Sequence, residues 1–269
     1  MAESTPIRVV VAGAKGRMGR EVIRMIAQTS DLALVGAIDV SRLGEDAGVV
    51  AGVAPLGVPL EDDPQYVFST RKPDVLVDFT NPQAVIRNVD IAIANGVSPV
   101  IGTTGLTNDE IQRFDHACRQ QGIGGFACPN FSLGAVLLMR FAQQAARYLP
   151  DVEIIEMHHD QKRDAPSGTA LRLAELIAEA RQPHLQGHPD AFEKLDGARG
   201  ATYEGMHIHS VRLPGYVAHH EVLFGGHGQV LSLRHDSLSR EDFMPGVRLA
   251  IQKVRSWIGF VYGLENIVD

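Results

Sequence analysis

The sequence predicts an α/β protein: a doubly wound parallel sheet first, then a second α+β domain containing a mixed or antiparallel sheet. Three observations predict it. Up to about residue 130, short apolar runs alternate with helical patterns, the signature of a parallel sheet covered by helices. A glycine-rich turn directly follows the first of those runs. After a long polar stretch, HIHSVRLPG, AHHEVLFGG and GQVLSLRHDS succeed one another across short glycine-containing turns, as in antiparallel or mixed pairing.

The expected strands of the first half are Ile7–Ala12, Leu32–Ile38, Val75–Phe79, Ser98–Ile101 and Ile123–Ala127. Between the first two, Met18, Val22, Met25, Ile26 and Thr29 recur at helical spacing. Thr107-Asn-Asp-Glu110 has the pattern of a capping box, opening a helix that ends near Gln121-Gly122. Ser132 is placed to cap a long helix through GAVLLMRFAQQAARYL. The helix ALRLAELIAEAR leads into a polar stretch, Gln182 to Gly205, that reads as a long loop. From Arg240 a helical pattern returns through Val247, Ile251, Val254 and Ile258, and carries Trp257 as core or interface. The expected domains are residues 1–130 and 131–240, with a tail helix over 241–269 folding back on the first.

With 269 residues, 45% of them hydrophobic, the chain can bury a sizeable core. A formal net charge of −7 argues against nucleic acid or an anionic membrane as the main partner. Cys118 and Cys128 are too few for a disulfide framework and match no metal motif. The start, MAESTPIRVVVAGAKGRMG, shows no charged-then-apolar signal segment, and the run AVLLM stops at Arg140. The expectation is a cytoplasmic globular protein with no membrane partner.

Gly13-Ala-Lys-Gly16-Arg-Met-Gly19 leaves a strand and opens a helix, where glycine permits a tight turn and close approach to a pyrophosphate. Asp39 ends the next strand some twenty residues beyond Gly19, where a carboxylate reaches ribose hydroxyls. The spacing is GxxGxxG rather than GxGxxG, and the alternative is a glycine turn without a ligand. Two further loops, Gly102-Thr-Thr-Gly105 and Cys128-Pro-Asn-Phe131, leave consecutive strand ends, the edge at which open α/β sheets bind ligands. Each alone is an ordinary turn. In Asp78-Phe79-Thr80-Asn81-Pro82, Thr80 and Asn81 are read as caps of the next helix.

EIIEMHHDQKRDAPSGTAL, from Glu153 to Leu171, concentrates the chemistry. Histidine transfers a proton near neutral pH, lysine supplies a compact cation, and a helix start supplies free N–H groups for an anion. Together they read as a pocket for a small carboxylated substrate. In an extended chain Glu156 and His158 share one face while Met157 and His159 share the other, so both histidines enter one cavity only if the chain bends. Pro166-Ser-Gly-Thr169 starts a helix whose first-turn N–H groups and Thr169 hydroxyl can hold a carboxylate.

The combination of GAKGRMG, DFT, GTTG, PNFSLG and E-x-x-x-HH-x-x-K-x-D-x-PSGTA, in order from Ile7 to about Ile267, resembles the dihydrodipicolinate reductase family. The resemblance implies a Rossmann-like first domain and NADH- or NADPH-dependent reduction of 4-hydroxy-tetrahydrodipicolinate with loss of water, in lysine and diaminopimelate biosynthesis. It implies His158 as general acid, with Lys162 assisting protonation and holding the substrate. It implies His159, Lys162, Gly168 and Thr169 on the carboxylates of the cyclic dicarboxylate. Gly13, Ala14, Lys15, Gly16, Arg17, Met18, Asp39, Gly102, Thr103, Thr104, Cys128, Pro129, Asn130 and Phe131 would line the cofactor site. It further implies no metal, and a homotetramer formed through the second domain's sheet. Cys128 is read as packing, because the family often has another small residue there.

The histidines outside this segment invite a zinc reading. His207 and His209 share a strand face, and His219, His220 and His227 follow, but no carboxylate or cysteine falls at a matching distance in sequence. Polar positions at a subunit contact or the substrate mouth fit them better, and Arg234-His235-Asp236-Ser237 reads as a charged strand end. Two other functions fit part of the pattern: a two-domain NAD(P)-dependent reductase of an amino acid or its semialdehyde, and a nucleotide sensor that has lost chemistry. The first would not bind dipicolinate, and the second needs no proton donor such as His158.

Val40 follows Asp39 where some members of the family carry an arginine able to contact a 2′-phosphate, while Lys15 and Arg17 sit nearby. Val40→Arg is expected to shift preference toward NADPH, measured as kcat/KM with each cofactor; an unchanged ratio would show that this position does not read the 2′ group.

Overall fold

The computed structural model describes residues 5–268, which divide into two compact units. One contains the described residues up to Ser132 together with those from Arg240; the other is Leu133–Ser239.

The first unit runs β1 (Ile7–Ala12), α1 (Arg17–Ala27), β2 (Leu32–Ile38), α2 (Ala47–Ala51), β3 (Leu60–Glu61), α3 (Pro64–Arg71), β4 (Val75–Asp78), α4 (Pro82–Ala94), β5 (Ser98–Ile101), α5 (Asn108–Gln121) and β6 (Gly124–Ala127). The second contains α6 (Leu133–Ala146), β7 (Asp151–His158), α7 (Gly168–Ala180), β8 (Ala201–Tyr203), β9 (Met206–Arg212), β10 (Ala218–Gly226) and β11 (Gln229–Ser237). The chain then adds α8 (Met244–Lys253) and β12 (Gly259–Tyr262) to the first unit.

The first sheet has the order β12-β6-β5-β4-β1-β2-β3, with every pair parallel. From β1 the chain works outward through β2 and β3, then returns to β4 and works the other way. The order therefore reverses between β1 and β4, and ligands bind outside the carboxyl ends of strands at such a reversal. The central strands are buried on both faces, so they read as unbroken apolar runs rather than alternating ones. Their side chains form a core with those of α3, α4 and α5, including Val10, Leu76, Val89 and Phe114. Each large side chain so buried contributes roughly 1.5–3 kcal/mol.

Local signals set the helix ends. Thr107 and Glu110 form the capping box that opens α5, and Gly122 closes it in the left-handed conformation. Asn81 caps α4 by accepting from the N–H groups of Gln83 and Ala84. Thr80, expected to share that task, instead donates its hydroxyl to Asp78 at 2.6 Å.

The second sheet, β11-β10-β7-β9-β8, is mixed: β7 and β9 run parallel and the other pairs antiparallel. One face packs against α6 and α7 through Ile154, Ile208, Val222 and Phe224 with Leu138, Leu173 and Ile177.

The structure corrects two readings. The stretch expected to loop to Gly205 ends in β8, paired with β9. The tail is not helical through Ile258: α8 ends at Lys253, a 3-10 turn covers Val254–Ser256, and Gly259 (φ +99°) turns the chain into β12 beside β6. Trp257 therefore lies off the helix, donating its indole N–H to the Gly125 carbonyl at 3.3 Å. An open edge on β6 outweighs the local helical periodicity, because unpaired strand groups gain a full hydrogen-bond ladder.

Gly124 in β6 is where this packing is tightest. A Cβ there would lie 1.9 Å from the Val254 carbonyl oxygen and 2.9 Å from that of Trp257, both backbone atoms. Gly124→Ala is expected to destabilise the protein by about 1–3 kcal/mol, the usual result of overpacking. Urea unfolding measures it, and a loss below about 0.5 kcal/mol would show that the tail yields freely.

Candidate active site

Two clusters of functional groups form, one in each unit. In the first, Gly13 follows β1 with φ +75°, and a Cβ on it would sit 2.4 Å from the Phe79 carbonyl oxygen. Only glycine lets the loops after β1 and β4 approach this closely. Gly19 is equally constrained, since a Cβ would meet the Gly13 carbonyl oxygen at 2.1 Å. Gly16 is the N-cap of α1; no side chain caps that helix and its first turn carries no acid. Its first-turn N–H groups, with Lys15 and Arg17 beside them, fit a pyrophosphate.

Asp39 accepts the Lys15 backbone N–H at 2.9 Å, which pins the glycine loop to the end of β2. Ser41 bridges the Lys15 ammonium and the other Asp39 oxygen, at 2.9 and 3.3 Å. Val40 is 93% exposed beside them.

Asp78, fully buried, organises the neighbouring loops. One oxygen accepts from the Thr80 N–H, the Thr80 hydroxyl and the Thr103 hydroxyl, and the other from the Asn88 amide. The ends of β4 and β5 are thus tied together. Gly102 lies against the Phe79 ring, while Thr104 is exposed. In the Cys128–Phe131 loop, Cys128 and Phe131 are buried and Asn130 accepts the Ser132 N–H at 2.9 Å. Burial pushes the Cys128 thiol well above its ordinary range, and the ring of Phe131 packs on Phe79 and Phe126. This loop offers backbone, Pro129 and Asn130 rather than a thiolate.

The second cluster lies at the end of β7. Glu156 pairs in register with Ser210 of β9 and His220 of β10; His158 pairs with Arg212 and Ala218. Register partners and alternate residues share a sheet face, so Glu156, His158, Ser210, Arg212 and His220 all lie on the face that carries the apolar core further back. The face changes from apolar to polar over the last residues of β7.

Glu156, with no exposure to water, takes two bonds from Arg212 at 2.7 and 2.9 Å, one from His158 Nδ1 at 2.5 Å and one from the Ser167 N–H at 3.2 Å. Burial alone would raise its carboxyl, but the hydrogen bonds from His158, Arg212 and Ser210 outweigh it and hold the group far below the usual carboxylate range. Arg212 also donates to the Asp164 carbonyl at 2.7 Å, fixing the loop between β7 and α7.

His220 lies edge-on to His158, with ring centroids 5.4 Å apart, and meets the Ser167 hydroxyl at 3.2 Å. Burial, and then the charge of His158, pull its imidazole down to about 4. Ser167 caps α7 by accepting the Ala170 N–H. Among the described residues, that accounting leaves the N–H groups of Gly168 and Thr169 without partners, and a Cβ on Gly168 would meet nothing within 4 Å. Two free N–H groups at a helix start are suited to an anion such as a carboxylate.

The two adjacent histidines part company as β7 ends: His158 is buried and His159 is exposed. Lys162 gives its ammonium to both carboxylate oxygens of Asp164, each at 2.8 Å, rather than to the His158 cluster. That ion pair holds the exposed Asp164 carboxyl below its ordinary value.

Sequence reasoning puts Glu156 on the right face but gives it no task; it names His220 only as a polar sheet position at a subunit contact or the substrate mouth, and it misses Arg212. Strand alternation marks Ser210 and Arg212 as sharing a face, but their partner strand is set by tertiary pairing. Two of the remaining sheet histidines have plain partners. His209 meets Glu153 at 2.6 Å, and His219 meets Asp236 at 2.6 Å. His207 leaves its Nδ1 buried without a partner. Among the described residues, no three His, Cys, Asp or Glu side chains are placed to hold a metal ion.

Comparison with known proteins adds the following. A family profile described as "Dihydrodipicolinate reductase, N-terminus" matches residues 7–131, and one described as "Dihydrodipicolinate reductase, C-terminus" matches residues 134–268. The chain is 53% identical over 267 residues to a 4-hydroxy-tetrahydrodipicolinate reductase of Desulfitobacterium hafniense, covering 98% of this chain and 99% of that one. It is 54% identical over 263 residues to the protein of that name from Moorella thermoacetica, covering 98% of each. A solved structure, dipicolinate-bound dihydrodipicolinate reductase from Paenisporosarcina sp. TG-14, is 47% identical with a TM-score of 0.89 and covers 98% and 100% of the two chains. An amine dehydrogenase from Mycobacterium smegmatis, 16% identical with a TM-score of 0.64 and covering 97% and 96% of the chains, shares the fold.

The state of His220 gives a signed pH dependence. Its folded value near 4 lies below the ordinary 6.5, so the unfolded chain binds a proton that the native state refuses, and stability falls as pH drops from about 6.5 toward 4. Urea unfolding at pH 7 and pH 5 is expected to show a larger loss for the native sequence than for His220→Gln. Equal losses would mean that His220 does not carry the effect.

Proposed function

The chain belongs to the dihydrodipicolinate reductase family, and we propose that it performs that family's reaction at the polar end of its second sheet, with His158 as proton donor. The reaction is NAD(P)H-dependent reduction of 4-hydroxy-tetrahydrodipicolinate to tetrahydrodipicolinate with loss of water, a step of lysine and diaminopimelate biosynthesis. The observation that carries the residue assignment is the conjunction at the start of α7: a buried imidazole next to two N–H groups left free by the capping of Ser167.

When bound, a reduced nicotinamide supplies the hydride that the conjugated ring accepts. On the protein side, the Gly13-to-Met18 loop and the start of α1 would hold the pyrophosphate, and Asp39 the ribose hydroxyls. Gly102 to Thr104 and Cys128 to Phe131 would border the nicotinamide, with Asp78 keeping the first of these loops in place. In the second unit, Gly168 and Thr169 would receive one substrate carboxylate through backbone N–H groups and the Thr169 hydroxyl. His159 and Lys162 would reach the substrate from the loop after β7. For Lys162 this means sharing its ammonium between Asp164 and a substrate carboxylate, an exchange of one anion for another.

Hydride addition builds negative charge on the ring. His158 would neutralise it by giving up a proton, and a positioned acid of this kind contributes about 10²–10⁴-fold. The first unit is then the dinucleotide-binding domain and the second the substrate-binding and oligomerisation domain. The outer face of the second sheet, bearing Ile155, Val211, Leu223 and exposed Val230, supports a homotetramer joined there. No helix among the described residues is long and apolar enough to cross a membrane, which agrees with a proposed cytoplasmic setting.

His158→Gln is expected to lower kcat by about 10²-fold or more while leaving NAD(P)H affinity within about twofold. Steady-state kinetics with freshly generated 4-hydroxy-tetrahydrodipicolinate and fluorescence titration of the cofactor measure both. An unchanged kcat would remove His158 from the donor role.

A further inference from the structure

We propose that Glu156 is the positioning residue of this site: its carboxylate holds the Nδ1–H of His158 and thereby dedicates Nε2 to proton delivery. The inference rests on the assignment of His158 as donor and goes beyond it, by naming what fixes that ring's tautomer and orientation.

Nδ1 lies 2.5 Å from Glu156 Oε2, so one of the two atoms carries the shared hydrogen. Every other neighbour of that carboxylate is a donor: both terminal nitrogens of Arg212, the Ser167 N–H and the Ser210 hydroxyl. With the Arg212 guanidinium on both oxygens and two further donors beside it, the carboxyl stays ionised. The hydrogen therefore belongs to the imidazole, and in the neutral ring Nε2 is left as the bare nitrogen that reloads with a proton after each turnover.

The arrangement is built into the backbone. Glu156 and His158 alternate on β7, so their side chains stand on one face at a fixed separation. Arg212 sits opposite His158 on β9 and reaches back to Glu156 with both terminal nitrogens, which prevents the carboxylate from rotating away. His220, edge-on to the ring from β10, occupies a further side of His158. The same carboxylate holds the Ser167 N–H, so the acid and the start of α7 are referenced to one pair of oxygens. A misplacement of about 1 Å costs on the order of 10²-fold in rate, which makes a shared reference point consequential.

The test is imidazole ¹⁵N spectroscopy on the full chain combined with kinetics. Two-bond ¹⁵N–¹H correlation assigns the His158 nitrogens by comparison with His158→Gln. In the native sequence the neutral ring is expected to carry its proton on Nδ1, with a pyridine-like Nε2 signal. In Glu156→Gln the tautomer is expected to become mixed or reversed, with kcat falling about 10²-fold or more and KM for the dicarboxylate changing less than about threefold. Because that variant leaves the partly buried Arg212 without its carboxylate, Glu156→Gln/Arg212→Met removes both charges together and is read by the same signals.

A native Nε2–H tautomer overturns the proposal. So does an altered tautomer with unchanged kcat, or an unaltered tautomer in both variants. The donor assignment fails separately, through a normal kcat in His158→Gln, and the spectrum of the native ring then still reports whether Glu156 holds Nδ1.

Discussion

A carboxylate with no access to water must find all its donors inside the protein, and Glu156 finds them on two strands and a helix cap. An ionised carboxylate left unpaired in such a place would neutralise itself or unfold the site. The positions of Arg212, His158, Ser210 and Ser167 are therefore not independent. Each is constrained by the need to satisfy the same two oxygens, and the loop carrying Lys162 is drawn in through the bond from Arg212 to the Asp164 carbonyl. The rest of the site follows from that single requirement.

The first unit uses the same device without a cation. Asp78 collects hydroxyls, an amide and a backbone N–H, and so fixes the ends of two strands against each other. In both units a buried acid near the end of a strand gathers donors that include backbone or hydroxyl groups of the adjoining loops. Such loops lack the repeated hydrogen bonds of a sheet, and a buried carboxylate restores part of that rigidity.

Much of this was legible in the sequence, and the part that was not has a physical reason. The five central strands of the first sheet appear as apolar runs because they are covered on both faces, and the capping box of α5 is local chemistry that needs no neighbour. The glycine loop was readable for the same reason, since a positive φ and a close carbonyl leave a mark on one residue. Arg212 and His220 were not readable as partners of Glu156. Their meeting depends on β9 running parallel to β7 and β10 antiparallel, and on a register that pattern alone does not set. Lys162 is expected over the substrate, and the ion pair it makes with Asp164, two residues on, is a local contact that the motif did not flag. β12 was hidden because its residues continue a helical periodicity, and only the vacant edge of β6 turns them into a strand.

That last strand sets a sequence of events during synthesis. β6 ends at Ala127 and its outer neighbour β12 begins at Gly259, so the whole second unit leaves the ribosome before the first sheet can be completed. At roughly 5–20 residues per second the interval is on the order of ten seconds. Throughout it the nascent nucleotide fold carries an open edge, and strands in that condition are the ones that pair with foreign chains. The side of the Phe126 ring against which Trp257 later packs lacks that cover for the same period. The nascent chain is thus most in need of a chaperone's protection at a point when two of its three parts already exist.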